Sequence, residues 1–172
     1  MTHSNNEQAY FARIRGHITE LRRFLNENDS PETDDPVAWF DYIASVRVIQ
    51  GNTSNDQSFL ATMLAKNYLL GRFELASFDA AEKAQGAPGL DIDVQTTEGH
   101  RVIGEIKTTV PYGKNDLGAN QRKTFRKDFA KLNDNMAAHK FFFVTNRRTF
   151  DIVNDRYVEE IPGVEIILLF DQ

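Results

Sequence analysis

The stretch from Leu90 to Thr109 restricts the fold more than any other part of the chain. Leu90, Ile92 and Val94 alternate with Asp91, Asp93 and Gln95, a period of two that gives an extended strand one apolar and one polar face. Thr97-Glu98-Gly99 is a hairpin tip, and Arg101–Thr109 returns as a second strand with Ile103, Glu105 and Lys107 on one face. A two-stranded hairpin is marginal by itself in water, so the flanking sequence must supply further strands and covering helices. Pairing parity decides whether the carboxylates meet. They share a face only if paired residue numbers sum to an even value, such as Asp93 opposite Glu105. A plain two-residue turn centred on Glu98-Gly99 gives an odd sum and separates them. An odd-length tip or a bulge is therefore required, and Gly99 can supply it.

Upstream the period is helical. Tyr10, Ile14, Ile18, Leu21 and Leu25 recur at three- and four-residue steps and predict a helix over 6–27. A polar linker with two prolines, Asn28–Pro36, separates it from a second helix over 36–48. Gly51–Asp56 breaks the pattern, and a third helix follows over 56–71. Phe73–Phe78 reads as a short strand and Gly86–Gly89 as a turn before the hairpin. Beyond the Gly- and Asn-containing loop 110–119 come a helix over 120–134, an aromatic strand over 140–145, a helix over 147–157 and a buried strand over 164–170. Three helices followed by β-β-β-α-β-α-β predict an α/β fold, with helices around a mixed central sheet. Residues 1–50 form an N-terminal helical segment, and 51–172 form the core domain.

Composition narrows the chemistry. Cysteine is absent, which excludes disulfides and thiolate metal sites, and the four histidines are scattered without ligand spacing. A serine or cysteine hydrolase is therefore disfavoured, and a metal would have to sit on oxygen ligands, favouring Mg²⁺ with Mn²⁺ as a substitute. The polar opening MTHSNNEQ does not resemble a secretory signal, and no apolar run is of membrane-spanning length; a cytoplasmic protein without membrane contact is expected. The net charge is −5, yet residues 101–150 hold eleven Lys/Arg against four Asp/Glu. Screening over roughly 8–10 Å makes that local excess, and not the total, the determinant of phosphate attraction.

Two carboxylates on adjacent strands, about 4.5–5.5 Å apart, can grip one divalent cation. Lys107 projects to the same side as Glu105 and can neutralise charge developing on a phosphodiester. Asp93 is a rival to Asp91 for the metal role. The bland alternative is a solvated strand face with a cross-strand salt bridge.

The run Gly89-Leu90-Asp91-Ile92-Asp93, a short hairpin, then Glu105-Ile106-Lys107-Thr108-Thr109 resembles the PD-(D/E)xK nuclease superfamily over roughly residues 56–146. Pro88 stands three residues before Asp91, where that family often has Pro immediately before Asp. The resemblance implies a restriction-endonuclease-like αβββαβ core, Mg²⁺ held by Asp91 and Glu105, and Lys107 assisting catalysis. It also implies weaker auxiliary roles for Gln121 and for one of Asp56, Gln57 or Glu74.

Arg122, Lys123, Arg126, Lys127 and Lys131 run at helical spacing as a positive stripe suited to phosphates, which Lys114, Arg147 and Arg148 could extend. Tyr112, Lys114, Asn115 and Asp116 in the preceding loop are of the type that contact bases or backbone. The resulting expectation is a Mg²⁺-dependent endodeoxyribonuclease acting on double-stranded DNA as a homodimer, in the manner of type II restriction enzymes. The alternatives are a structure-specific repair or junction-resolving nuclease, and a catalytically silent DNA-binding module.

Overall fold

A computed structural model describes residues 3–84, 86–113 and 115–170, so Lys114 lies outside the described residues. The chain divides into two compact units, 1–56 and 57–172.

The first unit is helical. Helix α1 spans Asn5–Glu27 and α2 spans Pro36–Gln50. Ser4 starts α1 with a reciprocal cap: its hydroxyl accepts the Glu7 N–H at 3.1 Å, while the Glu7 carboxylate accepts the Ser4 N–H at 3.0 Å. Asp35 caps α2 through the Val37 N–H at 3.0 Å, with Pro36 opening the first turn. The Phe24 and Tyr42 rings hold the two helices together at 5.3 Å. Although α2 is largely apolar, none of its residues is buried, and Val37, Phe40, Ile43 and Val48 are exposed.

The second unit takes in most of helix α3 (Thr53–Leu70), and its described residues form four strands: β1 (Ile92–Gln95), β2 (Arg101–Lys107), β3 (His139–Val144) and β4 (Glu165–Leu168). They lie side by side in chain order, β1 antiparallel to β2, and β2, β3 and β4 mutually parallel. The parallel steps need crossovers, supplied by helices α4 (Ala119–Asp134) and α5 (Arg147–Arg156). The protein is thus α/β, with a four-stranded mixed sheet and flanking helices.

Strand β3 shows why both faces are covered. Phe142 points into one layer, 5.7 Å from the Phe125 ring and 5.1 Å from Phe129, both on α4. Phe141 and Phe143 point the other way, toward Tyr68 of α3 at 6.0 and 5.8 Å. All three side chains of the strand are fully buried, as a central strand between two helical layers requires. Gly104 on β2 makes room for this packing, since a Cβ there would stand 3.1 Å from the Phe143 ring.

The hairpin tip solves the parity problem. Ile92 pairs with Gly104 and Asp93 with Ile103, an even sum. Thr96 donates to the His100 carbonyl at 2.9 Å and accepts the Gly99 N–H at 2.9 Å. The tip is therefore the three residues Thr97-Glu98-Gly99, with Gly99 at φ +86°, the left-handed conformation that closes such loops. Two expectations need correction. Phe73–Phe78 does not form a strand: it makes one antiparallel bridge, Leu75 to Thr96, with the Ala76 and Thr97 N–H groups donating across it. The ladder thus lasts barely two residues. Leu90 does not share a layer with Ile92 and Val94. It precedes the first ladder pair, directly after Gly89 at φ +97°, and packs in the α4–α5 layer.

Candidate active site

Strand β1 stops pairing at Ile92, and the side chain of Asp91 takes over, its Oδ2 accepting the Ile106 N–H at 2.9 Å. Continuing the register sets Asp91 across from Glu105. Both line a cavity of about 290 Å³ together with Lys107, Asp128, Lys131 and Lys83, and Ser58 and Thr62 of α3 complete one wall. Lys83 donates to the Leu90 carbonyl, which anchors the 78–84 segment beside the start of β1.

Glu105 and Asp128 are buried and paired with lysines, whereas Asp91 is exposed. Glu105 is 1% exposed and Asp128 5%. Lys131 Nζ lies 3.1 Å from both Glu105 oxygens and 3.1 Å from Asp128 Oδ1. The other Asp128 oxygen is ion-paired with Lys107, whose ammonium also sits 5.6 Å from the centre of the Phe125 ring. Buried charge is costly unless paired, and α4 supplies the pairing.

Burial, reinforced by the nearby Asp91 and Asp128 carboxylates, pushes the Glu105 pKa up to about 8, against the pull of Lys131. Burial lowers the Lys131 ammonium, but its hydrogen bonds to Glu105 and Asp128 outweigh this and hold its pKa above the ordinary value.

A pH prediction follows for the metal-free protein. Below the unfolded value of 4.5, Glu105 is protonated in both states; from there to about 8 only the folded state retains the proton. Folded stability from this group therefore falls as pH rises through that window. Glu105→Gln keeps a neutral side chain throughout, so its stability relative to the parent should rise from pH 5 to pH 8 in urea titrations with EDTA present. A constant difference across that range would remove the assignment of a raised pKa.

The other sequence candidates divide. Asp93 stands apart, gripped by Arg101 through contacts of 2.8 and 2.7 Å that hold its pKa below the ordinary value. Gln121 is buried at the start of α4 and ties down the preceding loop: its Oε1 accepts from Tyr112 and Gly118 N–H at 3.1 and 3.0 Å, and its Nε2 donates to Val110 at 2.8 Å. It is not a lining residue of the Glu105 cavity. Glu74 is exposed at a separate hollow beside His100 and His139, and Gln57 lines another cavity with Thr108 and Asn146. Asp56 is paired with Arg13 at 2.9 Å.

The basic stripe is not uniform either. Arg126 is held by Glu160 at 2.8 and 3.0 Å, and Arg122 donates to the Leu117 carbonyl at 2.7 Å and reaches Asp116 at 3.3 Å. Lys131 turns into the cavity. Lys123 and Lys127 remain on the exposed face of α4, and Tyr112 and Asn115 are exposed on the loop before it. Arg147 pairs with Asp151 at 3.2 Å, and Arg148 donates to the Gly113 carbonyl.

Sequence reasoning missed Asp128, and it counted Lys131 in the phosphate-facing stripe without its inward contacts to Glu105 and Asp128. The signal was present: Asp128 interrupts the apolar stripe Phe125, Phe129, Leu132, and an acid on the buried face of a helix needs a cationic partner.

Among the described residues, no three His, Asp or Glu side chains form a ready-made metal cage, and the Glu105 and Asp128 oxygens contact lysines. The donor chemistry nevertheless suits a hard cation: carboxylate oxygens converge on a positive group already in the cavity. No helix among the described residues is long and apolar enough to cross a membrane. No protein-family model matches the chain, and neither does any curated protein or solved structure.

Proposed function

We propose that the protein is a divalent-metal-dependent DNA endonuclease of the PD-(D/E)xK type. The observation that carries this reading is the joint presence of Asp91, Glu105 and Lys107 in one cavity at the end of the β1–β2 hairpin. Asp91 and Glu105 are the residues that would hold Mg²⁺. Such an ion supplies Lewis acidity and lowers the pKa of bound water. Lys107 contributes a charge on the same strand face as Glu105, able to donate to the attacking water or to a non-bridging phosphate oxygen as negative charge grows. Its ion pair with Asp128 and its place beside Phe125 limit the ammonium's freedom, so little ordering is left to the reaction itself. Hydrolysis adds the water oxygen to phosphorus and releases a sugar oxygen, which takes up a proton.

The test is incubation of the purified chain with plasmid and phage DNA in Mg²⁺ or Mn²⁺. Cleavage that EDTA stops is the expected result, and DNA left intact with either ion at any protein concentration would sink the reading. Discrete fragments would favour a sequence-specific enzyme, and cutting confined to branched DNA a junction-resolving one. Salt-sensitive binding without cleavage would favour the silent binding module.

Lys123 and Lys127 are the groups assigned to the phosphate backbone. Each phosphate contact contributes about 0.9 to the slope of log affinity against log salt. A Lys123→Ala/Lys127→Ala double variant should therefore lower the slope by roughly 1.8 in a binding titration in Ca²⁺. Thermal stability should change little, because exposed charges contribute less than about 1 kcal/mol each. An unaltered slope would return this face of α4 to the solvent and move the DNA path elsewhere.

A further inference from the structure

We propose that the gap between the Glu105 and Asp128 carboxylates is a divalent-cation position, that Asp128 is one of its donors, and that the Lys131 ammonium occupies it until the ion displaces it. This rests on the reading of the cavity as a cation-dependent catalytic site.

Three observations carry it. First, the position already binds a cation: Lys131 Nζ makes three contacts of 3.1 Å, two to Glu105 and one to Asp128. An ammonium and a hard metal ion call on the same oxygen lone pairs, the metal at about 2.0–2.1 Å for Mg²⁺ and with twice the charge. Second, the two acids are buried and the lysine is partly exposed. The Glu105 and Asp128 side chains are 1% and 7% exposed, whereas that of Lys131 is 37% exposed. Its long flexible stem lets the ammonium leave for water without moving the helix. Third, the other lysine on Asp128 cannot play this part. The Lys107 side chain is 15% exposed, wedged between Asp128 and the Phe125 ring. When Lys131 leaves, Lys107 remains as the fixed partner of Asp128 and the remaining Asp128 oxygen is free to ligate.

The consequence is competition. If the lysine fills the position at least nine-tenths of the time, the apparent affinity for the ion is reduced at least about tenfold. Lys131→Met removes the competitor and keeps the apolar stem. In isothermal titration with Mn²⁺ this variant should bind at least about ten times more tightly than the parent, and Asp128→Asn should bind more weakly. Equal or weaker binding by Lys131→Met would overturn the proposal. If that variant does not fold in EDTA, regaining its circular dichroism spectrum on Mn²⁺ addition supports the proposal and failure to regain it counts against.

The unmodified chain provides a second readout. Acetylation of Lys131, followed by mass spectrometry with Lys140 as internal reference, should accelerate several-fold when Mn²⁺ is added, because the ammonium is driven into water. An unchanged or slower rate would mean that Lys131 is a permanent structural counter-ion. The two readings fail separately. Mn²⁺ binding with these responses but no DNA cleavage would defeat the nuclease and leave the cation site standing. Cleavage with an unresponsive Lys131 would do the reverse.

Discussion

Asp91→Ala and Glu105→Ala should each lower the rate of Mg²⁺-dependent DNA cleavage by on the order of a thousandfold or more, close to or below detection. The expectation follows from position. Asp91 is fixed by the Ile106 N–H, Glu105 stands across the register from it, and both line the same cavity. Removing either leaves one strand without an oxygen donor at the place where charge must be stabilised. Asp93→Asn is the internal control. Its carboxylate is engaged by Arg101 on the outer part of the hairpin, so cleavage should stay within about tenfold of the parent. Initial rates on a plasmid, with circular dichroism to confirm folding, decide the matter. Full activity in Asp91→Ala or Glu105→Ala, or loss of activity only in Asp93→Asn, would place the metal elsewhere.

Phe142→Ala should destabilise the second unit by about 3–5 kcal/mol, the range for truncating a fully buried aromatic side chain. Phe142 has no exposed surface and packs against both the Phe125 and Phe129 rings, so truncation removes ring contacts at the centre of the α4 layer. For a chain of this length each kcal/mol lowers Tm by roughly 2–4 °C, giving a fall of about 10 °C. Denaturant titration and calorimetry would measure it. A loss below about 1 kcal/mol would mean that the α4 layer is not packed on β3 as described. The same substitution bears on function, because α4 carries Asp128 and Lys131 into the cavity on the ridge that Phe125 and Phe129 anchor.

The elements with strong periodicity were legible from the residues alone. The apolar steps from Tyr10 to Leu25, the aromatic run at 141–143 and the alternation from Ile92 to Gln95 each match the element found there. Phe73–Phe78 was misread because a short apolar stretch carries β propensity whether or not a neighbour continues to pair with it, and here pairing ends after one bridge. Leu90 was misread because alternation was extended past the first ladder pair, where the backbone has already turned at Gly89.

The sequence by itself determined which residues could meet across the hairpin: Asp91, Glu105 and Lys107 have fixed parity once the tip is three residues long, and Gly99 is the residue that makes such a tip. It also determined that α4 would present a basic face, since charge at helical spacing is a local property. Only the tertiary structure decided where those charges go. Arg126 is drawn to Glu160 from the turn after α5, Lys131 to Glu105 of β2, and Asp128 to Lys107, pairs separated by 34, 26 and 21 positions. Such long-range pairs are set by how α4 packs on the sheet, and buried charges then take whichever opposite charge the packing brings within reach. Periodicity can place a residue on a face of its own helix; it does not reveal what that face will meet.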